Sequence, residues 1–157
     1  MKFKLIKTPD EELFNVFKEY CLKSKPFDSC ELPSMQIRLL KIREYFNSVF
    51  LYSDCIIALK NDEIVGFFCI EKQNEIGIIV IGVGLYPKIT FPEIAEMFSD
   101  FRKFYKQQNP EIKSFIGEII RNYKKNSYLK FLKKYIKPSK IDLDKDPIIV
   151  YFDWDVL

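Results

Sequence analysis

The residues best placed to do chemistry stand at 84–93, where the chain reads Gly84-Leu85-Tyr86-Pro87-Lys88-Ile89-Thr90-Phe91-Pro92-Glu93. They join a very apolar segment, Ile78 to Leu85, to an amphipathic stretch that opens at Thr90. A helix start can hold an anion, because its first amides have no intrahelical acceptor and the positive end of the macrodipole lies behind them. A nucleotide-binding α/β protein holds a phosphate at such a junction, here with Gly84, Leu85 and Thr90 as backbone and Lys88 as a point charge. The sequence also closes the same place. Thr90 reads as N-cap and Glu93 as the N3 member of a capping box, which brings the chain's own carboxylate to where an anion would sit. Pro92 removes one more amide.

Other chemically capable residues lie later. Glu118 follows Gly117 on a stretch that alternates like a strand; facing a cleft it could act as a base, and otherwise it is a solvated strand position. From Arg121 to Lys140 the chain carries Arg121, Lys124, Lys125, Lys130, Lys133, Lys134, Lys137 and Lys140 without one acidic residue, interleaved with Tyr123, Tyr128, Phe131 and Tyr135. Such a run can bind nucleic acid through its phosphates, with tyrosines for stacking, or an acidic protein surface; it can equally be a solvated helix face whose aromatics belong to the core. The chain has no histidine. That excludes Ser-His-Asp and Cys-His catalysis and leaves carboxylate, Tyr, Lys, thiol or water to move a proton. Cys21, Cys30, Cys55 and Cys69 show no Cys-x-x-Cys spacing, so no metal site is expected, and they read as reduced, mostly buried thiols of a cytoplasmic protein.

The elements that must position these residues can be read from periodicity. A chain of 157 residues, 48% hydrophobic, can bury one good core, and a single domain over 1–157 is expected. No segment approaches the roughly 18 apolar residues of a membrane span, and the alternating start Met-Lys-Phe-Lys-Leu-Ile-Lys is strand-like rather than a signal peptide. Strand Lys2 to Lys7 precedes a helix from Asp10 to Leu22, a loop over Ser24 to Pro33, and a second helix from Ser34 to Phe50 with Ile37, Leu40, Ile42, Tyr45 and Phe46 as its expected buried positions. Cys55 to Lys60 and Glu63 to Lys72 form a hairpin through Asn61-Asp62. Asn74-Glu75 turns the chain into the apolar strand. The helix from Thr90 to Gln108 stops at Asn109-Pro110, Lys113 to Ile120 is a strand, Asn126 to Tyr135 a basic helix, and Pro147 to Val156 a last strand with Val150, Phe152, Trp154 and Val156 on one side. The expected order is β-α-α-β-β-β-α-β-α-β.

That order, together with Cys55 to Ile70 (Cys-Ile-Ile-Ala-Leu-Lys-Asn-Asp-Glu-Ile-Val-Gly-Phe-Phe-Cys-Ile), resembles the Gcn5-related N-acetyltransferases. Ile119 to Ile136 is similar to the family's late strand, Asn-containing turn and helix. The resemblance implies a mixed α+β fold with a central, mostly antiparallel, twisted sheet of six to seven strands flanked by about four helices. It also implies acetyl-CoA as cofactor, held by a Gln/Arg-x-x-Gly-x-Gly/Ala turn after the apolar strand, and a late-helix Tyr that protonates the departing thiolate. The chain departs from both patterns: the turn has two prolines, an acid and no glycine after Gly84, and Leu132 stands at the Tyr position, which leaves Tyr128 or Tyr135 as substitutes.

A degenerate version of this fold, with a glycine-free turn and a basic late helix, resembles small acetyltransferase-like proteins encoded beside virion genes in tailed phages; heavy use of Lys, Ile, Asn and Phe fits an AT-rich genome. Three functions follow as expectations. The first is a catalytically degenerate adaptor or structural subunit with no cofactor, whose partner is a protein, a second copy or a phage particle. The second is an acetyl-CoA-dependent N-acetyltransferase using Glu118 or Tyr128, with a V-shaped splay beside the apolar strand. The third is a nucleic-acid-binding module built on 121–140.

Overall fold

The computed structural model describes residues 1–22, 35–119 and 125–152. Its elements are β1 (Lys2–Ile6), α1 (Glu11–Leu22), α2 (Met35–Tyr52), β2 (Asp54–Lys60), β3 (Glu63–Gln73), β4 (Ile76–Gly84), α3 (Phe91–Gln108), β5 (Ser114–Ile119), α4 (Lys125–Phe131), a π-helical turn (Leu132–Ile136), β6 (Lys140–Asp142) and β7 (Ile148–Tyr151). The strands form one seven-stranded sheet in the order β1-β2-β3-β4-β5-β7-β6. Every neighbouring pair is antiparallel except β4 and β5. The mixed α+β architecture with a mostly antiparallel sheet is the one the resemblance implied.

Local chemistry accounts for the connections. Asn61 and Asp62 both take positive φ, 53° and 61°, and Lys60 pairs with Glu63 across them. That is a two-residue turn whose handedness matches strand twist. Asn74, at φ 55°, closes the next turn. Asp10 accepts from the Leu13 amide at 2.9 Å and so caps α1, and Asn109 ends α3 with its amide on the Tyr105 carbonyl.

Successive side chains of a strand point to opposite faces, so a strand covered on both sides reads as an unbroken apolar run. β3 is such a strand. Phe67 faces α1 and α2, in a core with Leu13, Phe17, Phe46, Ile57 and Ile81. Phe68 faces α3 and the late helix, in a core with Met97, Phe101, Tyr105, Phe115 and Leu132. The Phe68 and Phe101 rings stack 3.9 Å apart, 1° from parallel, and the Tyr105 hydroxyl donates to Asp54 at 2.8 Å, fastening the end of α3 to the start of β2.

Three expectations need correction or lie elsewhere. In α2 the buried residues are Ile42, Phe46 and Val49, whereas Ile37 and Leu40 are 38% and 58% exposed. At 100° per residue those two fall on the side opposite Ile42 and Phe46, and the sheet can cover only one side. The added strand β6 was not foreseen. In β7, Val150 and the following Phe152 are buried as expected, while Trp154, Val156, Asp153 and Asp155, like Cys30 and the 24–33 loop, lie outside the described residues. No helix among the described residues is long and apolar enough to cross a membrane.

Candidate functional site

β4 and β5 run side by side only from Ile76–Ser114 to Ile79–Gly117. At that point the β3–β4 register slips, with Ile70 opposite Ile79 but Cys69 opposite Ile81, so Val80 is an extra residue. A bulge bends its strand and deepens the local twist. β4 then continues to Gly84 on β3 alone, while β5 continues on β7. The two parallel strands therefore part into the V-shaped splay expected of the enzyme reading. Helix α3 is drawn tightly under the β4 arm. A Cβ on Gly82 would lie 2.9 Å from the Phe98 ring, and one on Gly84 would lie 2.5 Å from Ile94.

At the tip of that arm the backbone is already bonded within the chain. The Leu85 amide donates to the Val65 carbonyl at 2.8 Å, Tyr86 to Gly84 at 3.2 Å, Ile89 to Leu85 at 3.2 Å and Ile94 to Thr90 at 2.9 Å. Pro87 and Pro92 have no N–H to give. The Thr90 amide donates to Glu93 Oε1 at 3.1 Å, and the Glu93 amide donates to Thr90 Oγ1 at 3.3 Å, which completes the capping box anticipated from sequence. Glu93 also accepts from Lys60 Nζ at 2.6 Å. The Lys60 hydrogen bond first, then the Thr90 amide and hydroxyl, lower the Glu93 carboxyl to about 2. Lys88, the expected phosphate charge, instead meets Glu63 at 2.9 Å.

Neither a family profile nor a characterised relative matches the sequence. Solved structures do match. The PaiA N-acetyltransferase of Thermoplasma acidophilum, in complex with coenzyme A, aligns over 98% of this chain and 100% of its own with a TM-score of 0.62 and 14% identity. Tetrahymena GCN5 aligns over 98% and 97% with a TM-score of 0.57 and 15% identity. The Campylobacter jejuni N-acetyltransferase PseH, in complex with acetyl-CoA, aligns over 97% of each chain with a TM-score of 0.59 and 12% identity. This chain has the Gcn5-related N-acetyltransferase fold.

Within that acetyltransferase fold the expected residues scatter. Gly84, Leu85, Lys88 and Thr90 do share the turn below the β4 arm. Glu118 is exposed one residue past the last β4–β5 pair. Phe115 belongs to the core under α3 and a Gly117 Cβ would meet Phe152, so by alternation Glu118 lies on the α1–α2 face. Leu132, where the family commonly has Tyr, is buried in the core. Tyr128 is on the surface, 37% exposed. Lys130, Lys133, Lys134 and Lys137 are exposed; Lys125 opens α4, and Arg121 and Lys124 lie outside the described residues. Two of the described thiols are poor nucleophiles: burial pushes Cys21 up to about 12, and Cys69 is raised by its hydrogen bond to Cys55, then by burial.

Sequence reasoning missed an aromatic cluster that ties the turn of this acetyltransferase fold to its late helix. Tyr86 and Phe91 stack at 4.7 Å and 10°. Phe91 also meets Phe131 at 5.9 Å and Tyr135 at 6.5 Å. The spacing of Tyr128, Phe131 and Tyr135, at i, i+3 and i+7, was the signal available for one half of it.

Proposed function

We propose that this chain is a catalytically degenerate acetyltransferase-fold protein serving as an adaptor or structural subunit. One observation carries the reading: the Glu93 carboxylate holds the Thr90 amide and is itself held by Lys60, at the helix start where the pyrophosphate of acetyl-CoA would need free amides and no negative charge. The residues therefore do not fit the cofactor. The amides of Leu85, Tyr86, Ile89 and Ile94 are spent on intrachain bonds, and the lysine of the turn, Lys88, faces Glu63. Resemblance to proteins encoded beside virion genes in tailed phages supports a place in a particle, where a subunit is selected for what it binds.

The splay between β4 and β5, with Glu118 just beyond it, favours a second reading, an acetyl-CoA-dependent N-acetyltransferase. Solved neighbours hold coenzyme A or acetyl-CoA. Calorimetric titration with acetyl-CoA and with CoA, paired with thermal-shift curves, separates the two. No heat and no rise in melting temperature at millimolar ligand is the expected result. Binding tighter than about 100 μM, roughly −5.5 kcal/mol, would overturn the degenerate reading.

A further inference from the structure

The late helix divides into three rows. Leu129, Leu132 and Ile136 pack in or against the core. Beside them, at helical spacing, stand Tyr128, Phe131 and Tyr135, and beside those Lys130 and Lys134, with Lys137 at the helix end. Contact confirms that the second and third rows adjoin: Lys134 Nζ lies 5.0 Å from the centre of the Tyr135 ring. The aromatic row continues across to α3, since Phe131 and Tyr135 both meet Phe91, which carries Tyr86 on its face. Tyr86 is 61% exposed and Phe91 45% exposed. One Tyr86 face is bedded on a parallel ring and the other is open to water, a costly display of apolar area for a surface with no ligand.

The charges beside it are one-signed: residues 121–140 carry eight Lys or Arg and no acid. Lys41, Lys60, Lys72, Lys88 and Lys113 each hold a carboxylate. Lys130, Lys133, Lys134 and Lys137 make no ion pair among the described residues. Lys130, Lys134 and Lys137, exposed beside an open stack of rings, suit a ligand that is both anionic and flat.

We propose that the Tyr86–Phe91 stack and the adjoining lysine row bind single-stranded nucleic acid, with bases on the rings and phosphates on the lysines. Base stacking on aromatic rings is available only to unpaired bases, so a duplex offers less. The groove of about 710 Å³ between α3 and the end of the late helix adjoins Tyr135 and is lined by Arg102, Lys103 and Lys137 as well as by Glu96 and Asp100, so the lysine row reaches its edge at Lys137. The cofactor question is kept apart by the lysine pair: Lys130→Gln with Lys134→Gln lies off the 84–93 turn, so loss of oligonucleotide binding in that variant leaves the acetyl-CoA titration unchanged.

The test is fluorescence anisotropy with a fluorescein-labelled oligothymidylate of about 12 nucleotides, within the range of single-strand site sizes, titrated with protein across a salt series. Binding that weakens linearly with log salt is expected. Lys130→Gln with Lys134→Gln should lower the slope by about 1.4, two phosphate contacts at about 0.7 each. Tyr86→Ala should weaken binding about tenfold, and Tyr86→Phe, which keeps the ring, should bind as the parent does. Melting curves establish that each variant is folded; Tyr86 is exposed enough for both of its changes to be tolerated. No anisotropy change at about 50 mM salt, where phosphate contacts are strongest, would overturn the proposal. So would equal affinity for a duplex of the same length. Polyglutamate competing as well as the oligonucleotide, with Tyr86→Ala indifferent, would also overturn it and point to an acidic protein.

Discussion

Glu93 draws three donors to one carboxylate: Lys60, the Thr90 amide and the Thr90 hydroxyl. The group is depressed from 4.5 to about 2, by Lys60 first. A carboxylate with a lowered folded-state pKa stabilises the fold above its unfolded value and loses that contribution as pH falls through the folded one. Melting temperature should therefore drop more steeply between pH 4.5 and pH 2 for the parent than for Glu93→Gln, the two curves converging at the acid end; parallel curves would contradict the assignment. The group is solvent-facing, so the difference is modest. Half of this site was readable in sequence. Thr90 and Glu93 are three residues apart and form a local motif, but Lys60 stands 33 residues from Glu93, and no spacing rule predicts that meeting. Lys88 shows the converse: its position in the turn was read correctly, and its partner on β3 was not foreseen.

Helix α3 can approach β4 closely only because Gly82 and Gly84 have no side chains in its path. At Gly84 an added Cβ would come within 2.5 Å of Ile94 Cγ1, in the first turn of the helix. Gly84→Ala should cost about 1–3 kcal/mol, as overpacking does, measured by urea denaturation, with the capping box as the first structure to loosen. Legibility at this scale followed period and length. The β2–β3 hairpin and α3 stood out because alternation, turn residues and a cap all agreed. β6 did not, since Lys-Ile-Asp is too short to show a period. In α2 apolar residues occur on two sides, and sequence alone could not say that Ile42 and Phe46 face the sheet while Ile37 and Leu40 face water. The π-helical turn, closed by Lys137 at φ 54° with its amide on the Leu132 carbonyl, left no mark in the residue types.

Two cores share one sheet, and β2 and β3 contribute to both through alternate residues. Removing a large side chain from either should therefore weaken the whole. Phe101→Ala on the α3 side and Phe46→Ala on the α1–α2 side, both buried, should each cost about 3–5 kcal/mol. Each should move one common unfolding transition, followed by far-ultraviolet and near-ultraviolet circular dichroism together; a core that melted separately would split the probes. The order of elements, with the local matches at Cys55 to Ile70 and Ile119 to Ile136, was enough to recognise this architecture. The splay was only an expectation from resemblance, because the Val80 bulge depends on how β4 registers on β3. The aromatic join was invisible because Phe91 and Phe131 meet only once α3 and α4 are docked.

The short parallel ladder also sets an order in time. β2, β3 and β4 pair as sequence neighbours, so tight turns bring them together quickly. β5 reaches β4 only after the chain has crossed α3, and then gains four pairs, Ile76–Ser114 to Ile79–Gly117. Loop closure must come before that pairing repays it. Refolding sampled by pulsed hydrogen exchange should protect the amides of β2 to β4 first and those of β5 and β7 later, so that the wedge between β4 and β5 begins as the free edge of an unfinished sheet.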